Sequence, residues 1–302
     1  MHLYIVGNGF DLHHHLKTSP KDYCDFLNKK HPDILKFIQN CDYFMGDGNE
    51  LLNREDRFWT NVEANFAFSF DSMLEETVDG NYPDLDDDDE NRWQRVGIVA
   101  KEKVESLSDL KLFNTSYLAE WVNTIDFTSV SKSKQLQFKK KDLFLTFNYT
   151  KTLEYIYKIQ PSNILHIHGC ISSPETLQFG NSKYTANEVK ADYEQQFKSD
   201  EAYEICIEPA VNSYIDLARS LSKDPIKNIP LLKQFLSKKQ IDEIIILGHS
   251  YQGVDAQYYE KMLLQRLIKA KWTIYCYTDK DFDDAQKYIY EKRLNGKAVY
   301  WN

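Results

Sequence analysis

The sequence predicts an α/β fold: a doubly wound, mostly parallel sheet of Rossmann-like type carrying a large helical insertion. Two observations lead there. Short apolar runs bounded by turn residues recur without apolar–polar alternation, as strands buried on both faces require. Helical stretches follow several of these runs, the strand–helix–strand order that produces right-handed crossovers. The predicted strands, in order, are LYIV (3–6), LFLTF (143–147), ILHIH (164–168), EIIIL (243–247), WTIYCY (272–277) and AVYW (298–301). After Asn148, KTLEYIYK forms a helix ahead of the turn IQPSN. After Ser250, VDAQYYEKMLLQRLIKA sets Tyr258, Met262 and Ile268 near one helical face. DFDDAQKYIYEKRLNG reads as a helix stopped by Gly296.

The stretch from 12 to 142 is poor in strands and rich in helical stripes, Phe58, Val62, Phe66 and Phe70 first, then Leu110, Phe113, Tyr117, Trp121 and Ile125. The expected organisation is one α/β domain over 1–302 with a mainly helical insertion at about 20–135, and further helices over 185–240. The acidic run DLDDDDE (84–90) reads as a solvated loop, because a calcium loop needs alternating ligands and a glycine at its sharp turn.

A chain of 302 residues with 42% hydrophobic content can bury a sizeable core. Its formal net charge of -9 argues against coating a phosphate backbone, so no nucleic-acid partner is expected. The opening MHLYIVGNGF is too short and lacks the basic start of a signal peptide. No apolar run reaches the roughly 18 residues of a membrane span. The expectation is a soluble, cytoplasmic protein with no membrane partner. The scattered cysteines form no C-x-x-C pair, which suggests reduced thiols.

In an open parallel sheet, ligands sit beyond the carboxyl ends of the strands. Gly7, Asn8, Gly9, Phe10 and Asp11 follow the first predicted strand; Asn148 and Thr150 follow the second; His168 ends the third; Gly248, His249, Ser250 and Asp255 follow the fourth. GNGFDL between a strand and a helix start lets backbone approach a pyrophosphate, or serves as a tight turn without a ligand. Asp11 has two roles open to it, holding a ribose hydroxyl or capping the helix. The same choice applies to Gly248, Ser250 and Asp255: a nucleotide loop with Asp255 on a ribose, or a plain turn with Ser250 or Asp255 as cap. A serine nucleophile at Ser250 does not fit, because the second glycine of GHSYQG falls one place late and no histidine follows in the chain. His166 and His168, two apart on a strand, point to one face; without matching ligands elsewhere no metal is expected. His168, at the strand end, can serve as a general base, and His166 reads as a structural histidine beneath the site.

Taken in order, IVGNGFDL, FWTNVE (58–63), LTFNYTKTLEYIY, HIHG, LQFG (177–180) and ILGHSYQGVDAQYY resemble the bacteriophage abortive-infection AbiH family over nearly the whole chain. AbiH proteins in turn look like distant relatives of sirtuin-like NAD-binding domains. The resemblance implies that Asn148 and His168 match a catalytic asparagine and histidine, Gly7 and Gly9 a phosphate loop, and Gly248 and Ser250 a nucleotide loop. It implies cleavage of the nicotinamide–ribose bond of NAD or a related nucleotide, in a defence effector responding to a phage-derived trigger. NAD is then substrate or ligand. Glu63 either reaches over the cleft as a further catalytic group or makes an ordinary ion pair on a helix surface. The zinc-binding cysteines of protein-deacylating sirtuins are missing, so acyl-lysine removal is not expected. The alternative is a non-enzymatic nucleotide-binding switch that signals to a partner through the insertion. The sequence leaves a homo-oligomer open.

Overall fold

Six strands form one sheet in which every neighbouring pair is parallel: β1 (His2–Val6), β2 (Leu143–Thr146), β3 (Ile164–His166), β4 (Glu243–Leu247), β5 (Lys271–Cys276) and β6 (Gly296–Tyr300). Their order across the sheet is β3-β2-β1-β4-β5-β6. The chain begins in the middle, steps outward to β3, then crosses back to β4 on the other side of β1. The carboxyl ends of β1 and β4 therefore flank the topological switch point where doubly wound sheets open a crevice. The computed structural model describes residues 1–39, 92–128, 130–133, 136–173, 176–180, 191, 195, 208–237, 239–251 and 253–301. Glu63, the stripe from Phe58 to Phe70 and the acidic run at 84–90 lie outside the described residues.

The apolar strands bury both faces, and the two-residue period sorts them into two cores. Leu3, Ile5, Leu143, Leu145, Ile244, Ile246, Trp272 and Ile274 belong to one buried cluster. Tyr4, Val6, Phe144, Ile245 and Leu247 belong to the other. In-register pairs such as Ile5 with Leu145 on one side and Ile246 on the other keep like faces together across the sheet. A one-residue slip would exchange the two sets.

Contacts divide the chain into two units. Met1–Asp22, Ala119–Leu177 and Asp224–Asn302 contain the sheet; Tyr23–Leu118 and Gln178–Lys223 make the second unit. Among its described residues the second unit has helices and no strand, with Arg92–Ser106 packed along Glu208–Leu221, which also touches Leu110–Asn114. Gly180, the glycine of LQFG, sits at φ +139 within this unit, and a Cβ there would lie 1.9 Å from the Leu221 carbonyl oxygen. Close backbone packing therefore accounts for that glycine. The stripe from Leu110 is not one helix: helices Leu110–Asn114 and Ser116–Asn123 break at Thr115 (φ -123, ψ -83). No helix among the described residues is long and apolar enough to cross a membrane.

Two further expectations are corrected. Gly296 does not stop a helix; the helix Asp279–Glu291 ends with Arg293 in the left-handed region at φ 53. Gly296 instead opens β6 opposite Trp272, whose Cβ and carbonyl oxygen would each be 3.0 Å from an added Cβ. Ile268 does not share the face of Tyr258 and Met262. It is exposed, since six steps of about 100° turn it roughly 120° from Met262, while Leu267 is buried one turn after Leu263. Helix Asp279–Glu291 starts with a capping box in which Thr278 Oγ1 accepts from the Asp281 amide (3.1 Å) and Asp281 Oδ2 accepts from the Thr278 amide (3.0 Å). Thr278→Ala is expected to cost about 1 kcal/mol in urea denaturation.

Candidate functional site at the carboxyl edge of the sheet

The loops after β1 and β4 are bonded to each other through their backbones. Gly7 N donates to Leu247 O at 3.0 Å and Gly9 N to Gly248 O at 2.9 Å. A Cβ on Gly7 would stand 2.6 Å from both Gly248 O and His249 Cα, and one on Gly9 would stand 2.7 Å from Gly248 Cα. These three glycines let two turns touch across the switch point, a requirement that exists without any ligand.

The loop after β2 joins them. Asn148 Nδ2 donates to Gly7 O at 3.0 Å, and the Asn148 amide donates to Thr146 Oγ1 at 3.1 Å. Asp11, fully buried on the helix Asn8–His13, accepts from Thr150 Oγ1 through Oδ2 and from Thr152 Oγ1 through Oδ1, both at 2.6 Å. Burial pushes the Asp11 carboxyl up to about 6, against the opposing hydrogen bonds from Thr150, Thr152 and Asn148 and the nearby His166 charge. Asp11 thus faces threonines in the interior. Phe10 is fully buried among His14, Tyr157 and Trp301. Asn8 is exposed, with Nδ2 on Thr18 O at 2.8 Å.

The two histidines of HIHG take separate partners, because β3 ends at His166 and the chain turns before His168. His166 Nδ1 lies 3.1 Å from Asn148 O and Nε2 lies 3.0 Å from Glu154 Oε1, so it braces the loop after β2. His168, 1% exposed, turns its Nε2 to Asp255 Oδ1 at 3.3 Å. Gly169, at φ +82, completes that turn. His249 has Nδ1 against the Tyr259 hydroxyl at 2.7 Å and Nε2 against Asp255 Oδ2 at 3.4 Å, and its ring stacks on Phe147 at 3.8 Å. Both of its ring nitrogens are thus engaged away from the neighbouring, exposed Ser250. Among the described residues, no group of three or more His, Cys, Asp or Glu could hold a metal ion.

The structure therefore gathers Gly7, Gly9, Asp11, Asn148, Thr150, His168, Gly248, His249 and Asp255 at one sheet edge through a continuous set of contacts. Sequence reading missed Phe147, Thr152, Tyr258 and Tyr259. Thr152 repeats the hydroxyl of Thr150 two residues on, and Phe147 directly precedes Asn148. Tyr258 and Tyr259 are fully buried where the helix passes into its π-turn, and such turns recur at functional sites.

A family model described as bacteriophage abortive infection AbiH matches residues 3–276. Comparison with curated proteins and with solved structures finds no match. The family match spans all the loops that build this edge, and the chain belongs to the bacteriophage abortive-infection AbiH family.

Proposed function

We propose that the protein acts in phage defence by hydrolysing the nicotinamide–ribose bond of NAD or a related nucleotide. The reading is carried by one observation: Asn148 and His168, on the loops that follow β2 and β3, reach the switch-point edge where doubly wound sheets receive nucleotides. In the reaction a water oxygen bonds to the anomeric carbon as the C–N bond breaks. Nicotinamide leaves with the bonding pair, and the water proton passes to a base. His168 is the base, with Asp255 on its Nε2 favouring a ring whose Nδ1 accepts the proton. The Asn148 carboxamide, fixed through its nitrogen to Gly7 O, orients the water or ribose hydroxyl through its oxygen. The expected triggering molecule is of phage origin.

Purified protein is incubated with NAD, alone and with lysate from phage-infected cells, and nicotinamide is followed by chromatography. Release that drops ~100-fold or more in His168→Ala and in Asn148→Ala, both still folded, is expected. Release unchanged by either substitution, or absent under both conditions, contradicts the proposal.

A second reading, a nucleotide-binding switch without turnover, draws support from burial. Asn148 and His168 are 7% and 1% exposed, and the Asn148 amide nitrogen is committed inside the protein. It predicts thermal stabilisation by NAD or ADP-ribose with no product formed.

A further inference from the structure

The geometry points to Asp255 as a positioning residue that holds His168 and His249 together, one carboxylate oxygen to each Nε2. The inference rests on the cleavage reading for its catalytic consequence. It gives Asp255 a task other than binding a ribose hydroxyl.

Asp255 Oδ1 is 3.3 Å from His168 Nε2 and Oδ2 is 3.4 Å from His249 Nε2, while the side chains of Asp255, His168 and His249 are 13%, 1% and 6% exposed. Little water competes for these contacts. Aromatic rings fix both imidazoles: Phe147 lies 3.8 Å from the His249 ring centroid and 5.3 Å from that of His168, and Tyr258 lies 5.6 Å from His168. Tyr258 is itself anchored, its hydroxyl accepting from Asn228 Nδ2 at 3.1 Å while the same nitrogen donates to Ile167 O at 3.0 Å. His249 Nε2 is in hydrogen-bond geometry with Asp255 Oδ2, whereas His168 Nε2 meets Oδ1 at ion-pair distance; the arrangement in which both rings present a donor to the carboxylate carries a proton on each Nε2. His168 Nδ1 is then its basic nitrogen, and His249 Nδ1 accepts from the Tyr259 hydroxyl. The loop after β4 would in this way set the tautomer of the histidine that follows β3, and it would also link that histidine to Tyr259 through His249.

The substitution Asp255→Asn makes the idea testable, because a carboxamide presents one acceptor and one donor. The two Nε2–H groups can no longer both be satisfied. His249 is the ring expected to change, since the Tyr259 hydroxyl can accept as readily as donate. Long-range nitrogen–proton correlation spectra of histidine-labelled protein report each tautomer, with assignments from His168→Gln and His249→Gln. In the unsubstituted protein both rings are expected with Nε2 protonated. In Asp255→Asn, His249 is expected to move its proton to Nδ1 and His168 to keep Nε2–H. Nδ1-only protonation of either ring in the unsubstituted protein overturns the inference even where the variant does not fold, and so does a variant in which neither ring responds. For nicotinamide release, Asp255→Asn is expected to lower kcat by ~10–100-fold with KM changed by less than about twofold. An unchanged kcat counts against the positioning role. Ring responses in a protein that releases no nicotinamide leave that role standing and remove the cleavage reading instead.

Discussion

Gly248→Ala is expected to remove about 3 kcal/mol or more of folding stability. Gly248 occupies the left-handed region at φ +59, and a methyl there would stand 2.4 Å from Gly9 C, 2.5 Å from Gly9 Cα and 2.5 Å from Phe10 N. The obstructing atoms are backbone of the opposing turn, so no rotamer change relieves the clash. To make room the loops after β1 and β4 must separate, breaking the Gly9 N to Gly248 O bond. Gly253 is the control, since it also has a positive φ (+71) but nothing within 4 Å of an added Cβ. Gly253→Ala therefore carries only the backbone cost, about 1 kcal/mol. Urea midpoints of the two variants separate the terms. Equal losses would mean that contact between the two turns adds nothing.

The second large effect is a pH dependence set by Asp11. Its folded-state carboxyl titrates at about 6, against an ordinary value of 3.8. Below both values the group is protonated in either state and makes no difference. Between them the folded protein keeps the proton that the unfolded chain has released, so stability falls as pH rises through this window and levels off above about 6. The displacement corresponds to on the order of 3 kcal/mol. Other carboxylates contribute their own slopes, so the measurement is the difference between the protein and Asp11→Asn. That difference is expected to move in favour of the asparagine variant between pH 4 and 6, by about 3 kcal/mol. A difference that is flat with pH, or that favours aspartate as pH rises, would show that Thr150 and Thr152 outweigh the burial.

That the protein retains a buried, costly carboxylate at this point fits the local architecture. Asp11 ties the helix after β1 to the loop after β2, and the same loop sends Asn148 to Gly7. Two directed hydrogen bonds to one carboxylate set the helix after β1 and the loop after β2 in a defined relation, and the catalytic reading needs Asn148 held in place.

Much of this was legible in the sequence because strand burial leaves a simple trace. Runs such as EIIIL and LFLTF have no polar face to place in water, so the parallel, covered sheet follows from them, and each predicted strand overlaps an observed one. The glycines were legible as turns, but their cause was not: Gly7, Gly9 and Gly248 answer to one another across the switch point, and only the paired strand order reveals that. Asp11 and Asp255 each had a ribose hydroxyl or a helix cap open to them in the sequence, and the structure sets threonines beside the first and histidines beside the second. A carboxylate's chain position says where it stands and leaves open which neighbour reaches it first. The π-turn at Tyr259–Leu263 was invisible to a fixed helical period, and the placing of Ile268 overlooked the six-residue step that turns it away from Met262.

The central claim is that the loops after β1, β2, β3 and β4 form one nucleotide site. Its most direct test is a crystal structure of the protein with ADP-ribose, the product that remains after nicotinamide leaves. The account predicts the pyrophosphate against the loop containing Gly7–Gly9 and the terminal ribose within hydrogen-bond reach of Asn148 and His168. ADP-ribose bound elsewhere on the molecule, with those loops unchanged and empty, would contradict it.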